Sequence, residues 1–200
     1  TLCGMGMSEA ETFSFISPKY YDKIRMAEDD PRRKSVVISN PLGEDTSVMR
    51  TTAIPSMLEM LHNNFAVRNR DAKLFEMASI YVPHDNADEL PDEMKRLVIG
   101  FYLNDVKDAS GFYRMKGYIE ALLAVSHAGA AEYAPCTTDT AFHPGRCATV
   151  SVNGKQIGIF GEVHPEAAAN YGISAPTYVA QLDFDAMFDA RVEVVEYVAL

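Results

Sequence analysis

The sequence predicts an α+β fold in which an antiparallel sheet carries helices, formed as one domain over residues 1–200. Most strand-like segments are joined by a short turn or by a single helix, which is typical of antiparallel sheets. Asn153-Gly154 separates two alternating segments, and this dipeptide tolerates the positive φ angles of a tight hairpin turn. Two further segments, beginning near Pro55 and Phe112, carry apolar residues at helical spacing. We find no internal repeat and no glycine- or serine-rich linker that would divide the chain.

The first elements follow from local patterns. Residues 11–16 alternate polar and apolar side chains, which predicts a half-buried strand. Pro18 is placed to begin a helix over residues 19–26. Residues 35–38 form a short apolar run closed by Asn40-Pro41, which indicates a strand followed by a turn.

The middle of the chain predicts a helix and two long strands. The helix begins at Ile54-Pro55 and carries leucines on one face. A strand over residues 73–82 ends at Pro83, an acidic loop follows, and a second strand covers residues 95–103.

The last third contains the clearest helix and the clearest hairpin. Residues 112–127 carry one apolar stripe, and Gly129 is placed to cap the helix. A hairpin is predicted over residues 147–163. A two-residue turn predicts the cross-strand pairs Val152 with Lys155, Val150 with Ile157, and Ala148 with Ile159.

Three short elements complete the prediction. A helix over residues 165–171 ends at Gly172, and a strand covers residues 177–184. Residues 192–198 are a further candidate strand. Asp183 and Asp185 at the end of the strand could bind a metal, but Asp as the N-cap of a following helix is the favoured interpretation.

Composition excludes several classes of protein. Apolar residues make up 48% and charged residues 23% of the chain, which is incompatible with general disorder. No apolar run approaches the roughly 18 residues of a membrane helix. The net charge of −10 opposes binding to nucleic acid alone, since that affinity comes mainly from Lys and Arg neutralising phosphates. The basic run Arg32-Arg33-Lys34 is interpreted as a solvated turn.

Cysteine usage favours a reduced, cytoplasmic protein. Cys3, Cys136 and Cys147 form neither a C-x-x-C pair nor a zinc-type cluster, and their number is odd. We therefore expect free thiols, no membrane association and a cytoplasmic location.

No catalytic motif follows from the residues themselves. Gly4-x-Gly6 lacks the third glycine of a dinucleotide loop. His143 and His164 each precede a proline, and histidines in such turns are more often structural than catalytic. Glu162 and His164 could pair for proton transfer, but no nucleophile stands beside them.

Five segments, in the same order, resemble motifs of the β subunit of bacterial phenylalanyl-tRNA synthetase. They are N-P-L-G-E-D-T-S-V-M-R-T-T-A-I-P at 40–55, L-F-E-M-A at 74–78, F-Y-R-M-K-G-Y-I-E-A-L-L at 112–123, F-H-P-G-R-C-A at 142–148, and G-I-F-G-E-V-H-P at 158–165. The motif positions that we expect to be structural or interface residues are Asn40, Pro41, Met49, Arg50, Pro55, Phe75, Glu76, Lys116, Gly117, His143, Pro144, Gly145, Arg146, Gly161, Glu162, His164 and Pro165.

The resemblance implies the catalytic-like domain of that β subunit. Its fold is a class II aminoacyl-tRNA synthetase sheet, antiparallel and flanked by helices. In the family this domain partners the catalytic α subunit in an (αβ)₂ assembly. The whole enzyme uses ATP and Mg²⁺ to attach phenylalanine to tRNA(Phe).

The same comparison predicts that this domain has no catalytic, cofactor-binding or metal-binding residues. Class II catalysis places arginines from two motifs on the ATP phosphates, where the transition state gathers negative charge. Here Val82 stands where the first arginine is expected, and residues 181–186 contain neither the glycines nor the arginine of the second motif. ATP and Mg²⁺ are therefore expected to be used by the parent complex.

Two alternatives remain open at this point. One is a stand-alone pseudo-synthetase that regulates or binds a ligand, and the other is an enzyme that uses Glu162 and His164. Residues 1–15 resemble the end of the family's first class II motif, whose long helix is expected upstream. We therefore expect a piece of a longer β chain that docks only weakly on the α subunit.

Overall fold

The computed structural model describes residues 1–86, 89–104 and 110–192. Its strands are β1 Ser8–Glu9, β2 Phe15–Ile16, β3 Val48–Met49, β4 Asp71–Val82, β5 Asp92–Leu103, β6 Ala131–Pro135, β7 Phe142–Val152, β8 Lys155–Val163 and β9 Thr177–Asp183. Its α-helices are α1 Lys19–Lys23, α2 Ile54–Ala66, α3 Ser110–Val125, α4 Pro165–Asn170 and α5 Phe184–Asp189.

A seven-stranded sheet in the order β1-β4-β5-β9-β8-β7-β6 is the centre of the molecule. Every neighbouring pair in it is antiparallel except β1, which lies parallel to β4. β2 and β3 form a separate two-stranded sheet. The predicted α+β fold, with an antiparallel sheet flanked by helices, is confirmed.

Each face of the large sheet packs against its own helices. Residues of α2 and the segments before it cover one face, and α3 and α5 cover the other, so two separate apolar cores form. The α2 helix packs closely on β5 because Gly100 has no side chain. A Cβ there would lie 2.5 Å from Cγ of Met57.

The hairpin turn is confirmed, but its register differs from the prediction. Asn153 and Gly154 have φ angles of 52° and 76°, and Val152 pairs with Lys155 as expected. A β-bulge then intervenes, so Val150 pairs with Gly158 and Ala148 with Phe160. One extra residue shifts every later pair by one, and this shift brings Phe160 into the core beneath α3.

Four predicted elements show the clearest departures from the prediction. The helix predicted over residues 19–26 ends at Lys23, and Arg25 has a left-handed φ of 62°. Residues 35–38 contribute only a bridge from Val37 to Val48. The α3 helix ends at Val125, and the left-handed residue beyond it is His127 rather than Gly129. The strand predicted over residues 11–16 is reduced to β2.

The last elements follow the prediction where they are described. Gly172 has a φ of 69° just beyond α4. Asp183 caps α5, because its Oδ1 accepts a hydrogen bond of 2.9 Å from the N–H of Ala186. Of the candidate strand over residues 192–198, only Val192 belongs to the described residues.

Candidate functional site

A buried ion pair fixes the N-terminal segment to the sheet. Arg50 and Glu76 are only 1% and 3% exposed, and Nη2 of Arg50 donates to Oε1 of Glu76 at 3.0 Å. The Thr12 hydroxyl lies 2.9 and 2.8 Å from the two carboxylate oxygens, and Nη1 of Arg50 lies 2.6 Å from it. Nε of Arg50 donates to the carbonyl of Ser79 at 2.9 Å. Two motif residues far apart in sequence therefore meet in one satisfied network.

Because of this network, residues 11–16 turn toward the sheet the side chains that the sequence predicted to face solvent. The sequence predicted a half-buried strand over residues 11–16, which would bury its aromatic residues. In the structure Thr12 points inward to Glu76, while Phe13 is 80% and Phe15 is 41% exposed. The inward position is taken by a threonine because only a polar side chain can satisfy the buried carboxylate.

The outward-facing aromatics form one wall of a groove of about 560 Å³. The helix α2 contributes Ser56, Glu59 and Met60 to the groove, with Glu59 and Met60 about one helical turn after Ser56. Asp45 and Thr46 also line it. Among the described residues that line this groove there are three carboxylates, Glu11, Asp45 and Glu59, and neither lysine nor arginine.

Two buried polar atoms of the groove have no hydrogen-bond partner among the described residues. They are Oγ of Ser56 and Oε2 of Glu59. The nearest cation to this carboxylate oxygen is Nζ of Lys23 at 3.9 Å, which also lies 5.0 Å from the ring centre of Tyr20. Burial, followed by the charge of Glu59, raises the pKa of Tyr20. An apolar side chain beside a cation would complement this combination of aromatic and acidic side chains.

A second charged pair joins β7 and β8. Nη2 of Arg146 donates to Oε1 of Glu162 at 2.9 Å, and its Nε lies 2.7 Å from Oε2. The Tyr178 hydroxyl donates to the same Oε2 at 3.2 Å. Gly161 permits this close approach, because a Cβ there would lie 2.4 Å from the carbonyl oxygen of Arg146. Glu162 is therefore held by neighbours on the sheet.

The two histidines stabilise turns. Nδ1 of His143 accepts a hydrogen bond of 3.1 Å from the N–H of Gly145, beside the exposed Pro144. Nδ1 of His164 accepts one of 3.2 Å from Glu166 and caps α4, which begins at Pro165. Burial and the nearby Arg25 lower the pKa of His164. The interpretation of these histidines as structural agrees with these contacts.

The remaining motif residues are spread over the fold. Met49 pairs with Phe15, Pro55 lies in the first turn of α2, and Phe75 packs on the α3 side of the sheet. Nζ of Lys116 lies 3.5 Å from Glu120 and 4.6 Å from the ring centre of Tyr133. Asn40 is exposed, and its Oδ1 accepts a hydrogen bond of 3.5 Å from the hydroxyl of the neighbouring Ser39. Pro41 is exposed as well, and a Cβ at Gly117 would meet open space.

The strand β9 uses its polar residues for contacts within the chain. Oε1 of Gln181 accepts hydrogen bonds from Oγ1 of Thr52 at 3.0 Å and from the N–H of Ala53 at 2.9 Å. Asp183 caps α5 and lies 3.1 Å from Arg96. In the described ranges, no three His, Cys, Asp or Glu side chains are grouped so that they could hold a metal ion. None of the helices described is long and apolar enough to cross a membrane.

Sequence reasoning missed the groove. Its only signal was the alternation of polar and aromatic residues at 11–16, and that pattern does not tell which side faces the sheet. The side is decided by Glu76, which lies 64 residues from Thr12 in sequence.

Comparisons with known proteins agree on one family. The model of the phenylalanyl-tRNA synthetase beta chain CLM domain matches residues 1–184. The phenylalanine–tRNA ligase beta subunit of Clostridium acetobutylicum is 39% identical over 188 residues, covering 94% of this chain and 23% of that protein. The same subunit from Clostridium tetani is 38% identical over 193 residues, covering 96% of this chain and 24% of that protein.

A solved structure shares the fold. Pyrrolysyl-tRNA synthetase from Desulfitobacterium hafniense superposes with a TM-score of 0.73 at 13% identity, covering 93% of this chain and 63% of that one. The fold is therefore that of a class II aminoacyl-tRNA synthetase. The chain spans about a quarter of the length of the curated relatives named above.

Proposed function

Because the chain belongs to the phenylalanyl-tRNA synthetase beta chain family, we propose that it is a non-catalytic structural domain of a phenylalanine–tRNA ligase β subunit. In this proposal it supports the α subunit while tRNA(Phe) is aminoacylated in the cytoplasm by an (αβ)₂ assembly. The observation that carries the proposal is that the charged motif residues form ion pairs with each other. Arg50 pairs with Glu76 and Arg146 with Glu162, so both arginines stabilise the fold.

The described residues do not fit a triphosphate. Class II chemistry needs positive charge where the transition state gathers negative charge. Here β4 ends in Val82, and β9 offers Gln181 and Asp183, both already engaged within the chain. Arg96 beside them lies 3.1 Å from Asp183. We therefore assign ATP and Mg²⁺ to the α subunit of the parent complex.

The net charge of the chain also disfavours direct binding to tRNA. A net charge of −10 opposes the phosphate backbone, and phosphate neutralisation supplies most non-specific affinity. In the proposed complex, tRNA contacts come mainly from the α subunit and from other parts of the β chain.

The groove at the N-terminal segment is the proposed docking site for the α subunit. Exposed aromatic residues that face a cavity mark interaction sites more often than single exposed residues do. The three carboxylates around Phe13 and Phe15 favour a partner segment with an apolar side chain flanked by lysine or arginine. Glu11, Thr12, Phe13 and Phe15 of the groove belong to residues 1–15, the segment that resembles the end of the family's first class II motif.

The test is retention of purified α subunit from Clostridium acetobutylicum by this chain. Binding by the wild-type chain is expected to be weak but measurable. The double variant Phe13→Ser/Phe15→Ser is expected to weaken it by at least about tenfold, because buried aromatic anchors dominate interface energies. The matched control is Phe188→Ser, which removes a half-exposed phenylalanine outside the groove.

Circular dichroism and thermal melting would show that all three proteins are folded. Equal retention by the wild-type chain and the double variant would contradict the groove as the docking site. Absence of any retention, even at high concentration, would contradict it as well.

A further inference from the structure

Cys136 and Cys147 lie directly opposite each other on neighbouring strands. The pairing of Pro135 with Ala148 in β6 and β7 continues by one residue, and the N–H of Cys136 donates to the carbonyl of Cys147 at 3.0 Å. Residues paired in this way have Cα atoms about 5.5 Å apart. Disulfides join Cα atoms that are about 4.4 to 6.8 Å apart. The backbone is thus already spaced for a bond between the two sulfurs, which are free thiols here.

The two thiols have different environments. Cys136 is partly exposed, and its Sγ lies 3.7 Å from Oγ1 of Thr138. Burial opposes ionisation of Cys136, but the N–H groups of Asp139 and Thr138, the Thr138 hydroxyl and the Cys147 thiol together lower its pKa. Cys147 is buried, and burial raises the pKa of its thiol. This difference is typical of a reactive thiol with a protected partner.

The carboxylate of Asp139 lies near Cys136 and affects how readily its thiol ionises. Asp139 would repel a thiolate at Cys136, but its Oδ2 lies 2.9 Å from Nη1 of Arg32. Oδ2 of Asp30, 2.7 Å from Nη2 of the same arginine, holds the guanidinium in place. The guanidinium, shared between the two carboxylates, therefore offsets only part of the negative charge beside Cys136.

We propose that Cys136 and Cys147 form a redox-active dithiol that a peroxide converts into a disulfide. The Cys136 thiolate attacks a peroxide oxygen, the O–O bond breaks, and the released hydroxide takes up a proton to leave as water. Cys136 is then a sulfenic acid. The Cys147 sulfur, on losing its proton, attacks the Cys136 sulfur, the S–O bond breaks and a second water leaves. Two thiols are oxidised, and one peroxide is reduced to two waters.

The bond would close the loop over residues 137–146, which contains the His-Pro-Gly-Arg motif. Arg146 precedes Cys147 directly and pairs with Glu162, so the disulfide would tether this ion pair to the end of β6. A covalent link of this kind restricts the unfolded chain, so the oxidised protein is expected to melt at a higher temperature.

The test uses limiting hydrogen peroxide on the purified chain, followed by alkylation and mass spectrometry of the peptides. We expect loss of the Cys136 and Cys147 thiols together, with a mass decrease of two hydrogens in the linked peptides. Cys3, which is exposed, serves as the internal control and is expected to remain alkylatable. In Cys147→Ser, Cys136 is expected to accumulate as a sulfenic acid that dimedone traps.

The wild-type result does not depend on the folding of any core variant. Oxidation of Cys3 ahead of Cys136 would overturn the proposal. So would disulfide-linked dimers as the main product, or survival of both Cys136 and Cys147 as free thiols when peroxide is in excess.

Discussion

Replacing Arg50 with leucine is expected to lower the free energy of unfolding by about 3–5 kcal/mol, because it leaves a buried carboxylate without its cation. Glu76 is 3% exposed, and its remaining partners would be the hydroxyl and the backbone N–H of Thr12. The substitution also leaves the carbonyl of Ser79 without its Arg50 donor. Urea denaturation followed by circular dichroism measures the difference.

An exposed ion pair provides the matched control. Lys19 and Glu44 lie 3.7 Å apart with side chains 72% and 90% exposed, and Lys19→Ala is expected to cost less than about 1 kcal/mol. The double variant Arg50→Leu/Glu76→Leu removes both charges and is expected to be more stable than Arg50→Leu alone. A loss below about 1 kcal/mol in Arg50→Leu would show that the network does not stabilise the fold.

Gly161→Ala is expected to destabilise the chain by about 1–3 kcal/mol or more, because the added methyl has no room. Its Cβ would lie 2.4 Å from the carbonyl oxygen of Arg146 and 2.8 Å from Cα of Cys147. Both neighbours are backbone atoms, so no side-chain rotation relieves the clash. Thermal and urea unfolding of the variant and the wild type measure the effect.

Gly117→Ala is the matched control for the same chemical change. Gly117 lies inside α3, and a Cβ there would meet open space. Alanine is the better helix former, so this variant is expected to gain about 0.5–1 kcal/mol. If both variants lost stability equally, the close approach of β7 and β8 at Gly161 would not be the cause.

The parts of the fold that the sequence predicted correctly depend on contacts near in sequence. The turn at Asn153-Gly154, the start of α2 at Pro55 and the cap of α5 by Asp183 are each set by residues within one turn. The hairpin register was missed because the bulge at Ile157 depends on which residues pack beneath α3. No pattern in the neighbouring sequence predicts that bulge.

The candidate site was predictable only in part. The family motifs pointed to Arg50, Glu76, Arg146 and Glu162, but their pairing needs the folded sheet. The groove was missed because the face of residues 11–16 is decided by the buried carboxylate of Glu76. The buried carboxylate needs hydrogen-bond donors, and Thr12 points inward to supply one. The aromatic residues beside it therefore point outward, although apolar side chains are expected to point inward.

The central claim is that this domain keeps the class II fold without its chemistry. The measurement that tests it most directly is phenylalanine-dependent exchange between ATP and pyrophosphate by the purified chain. A complete phenylalanine–tRNA ligase serves as the positive control and the heat-killed chain as the background. We expect no exchange above this background, because the proposed function assigns Val82, Gln181 and Asp183 to the positions where a class II enzyme needs positive charge. Exchange that requires phenylalanine and persists through further purification would contradict the claim.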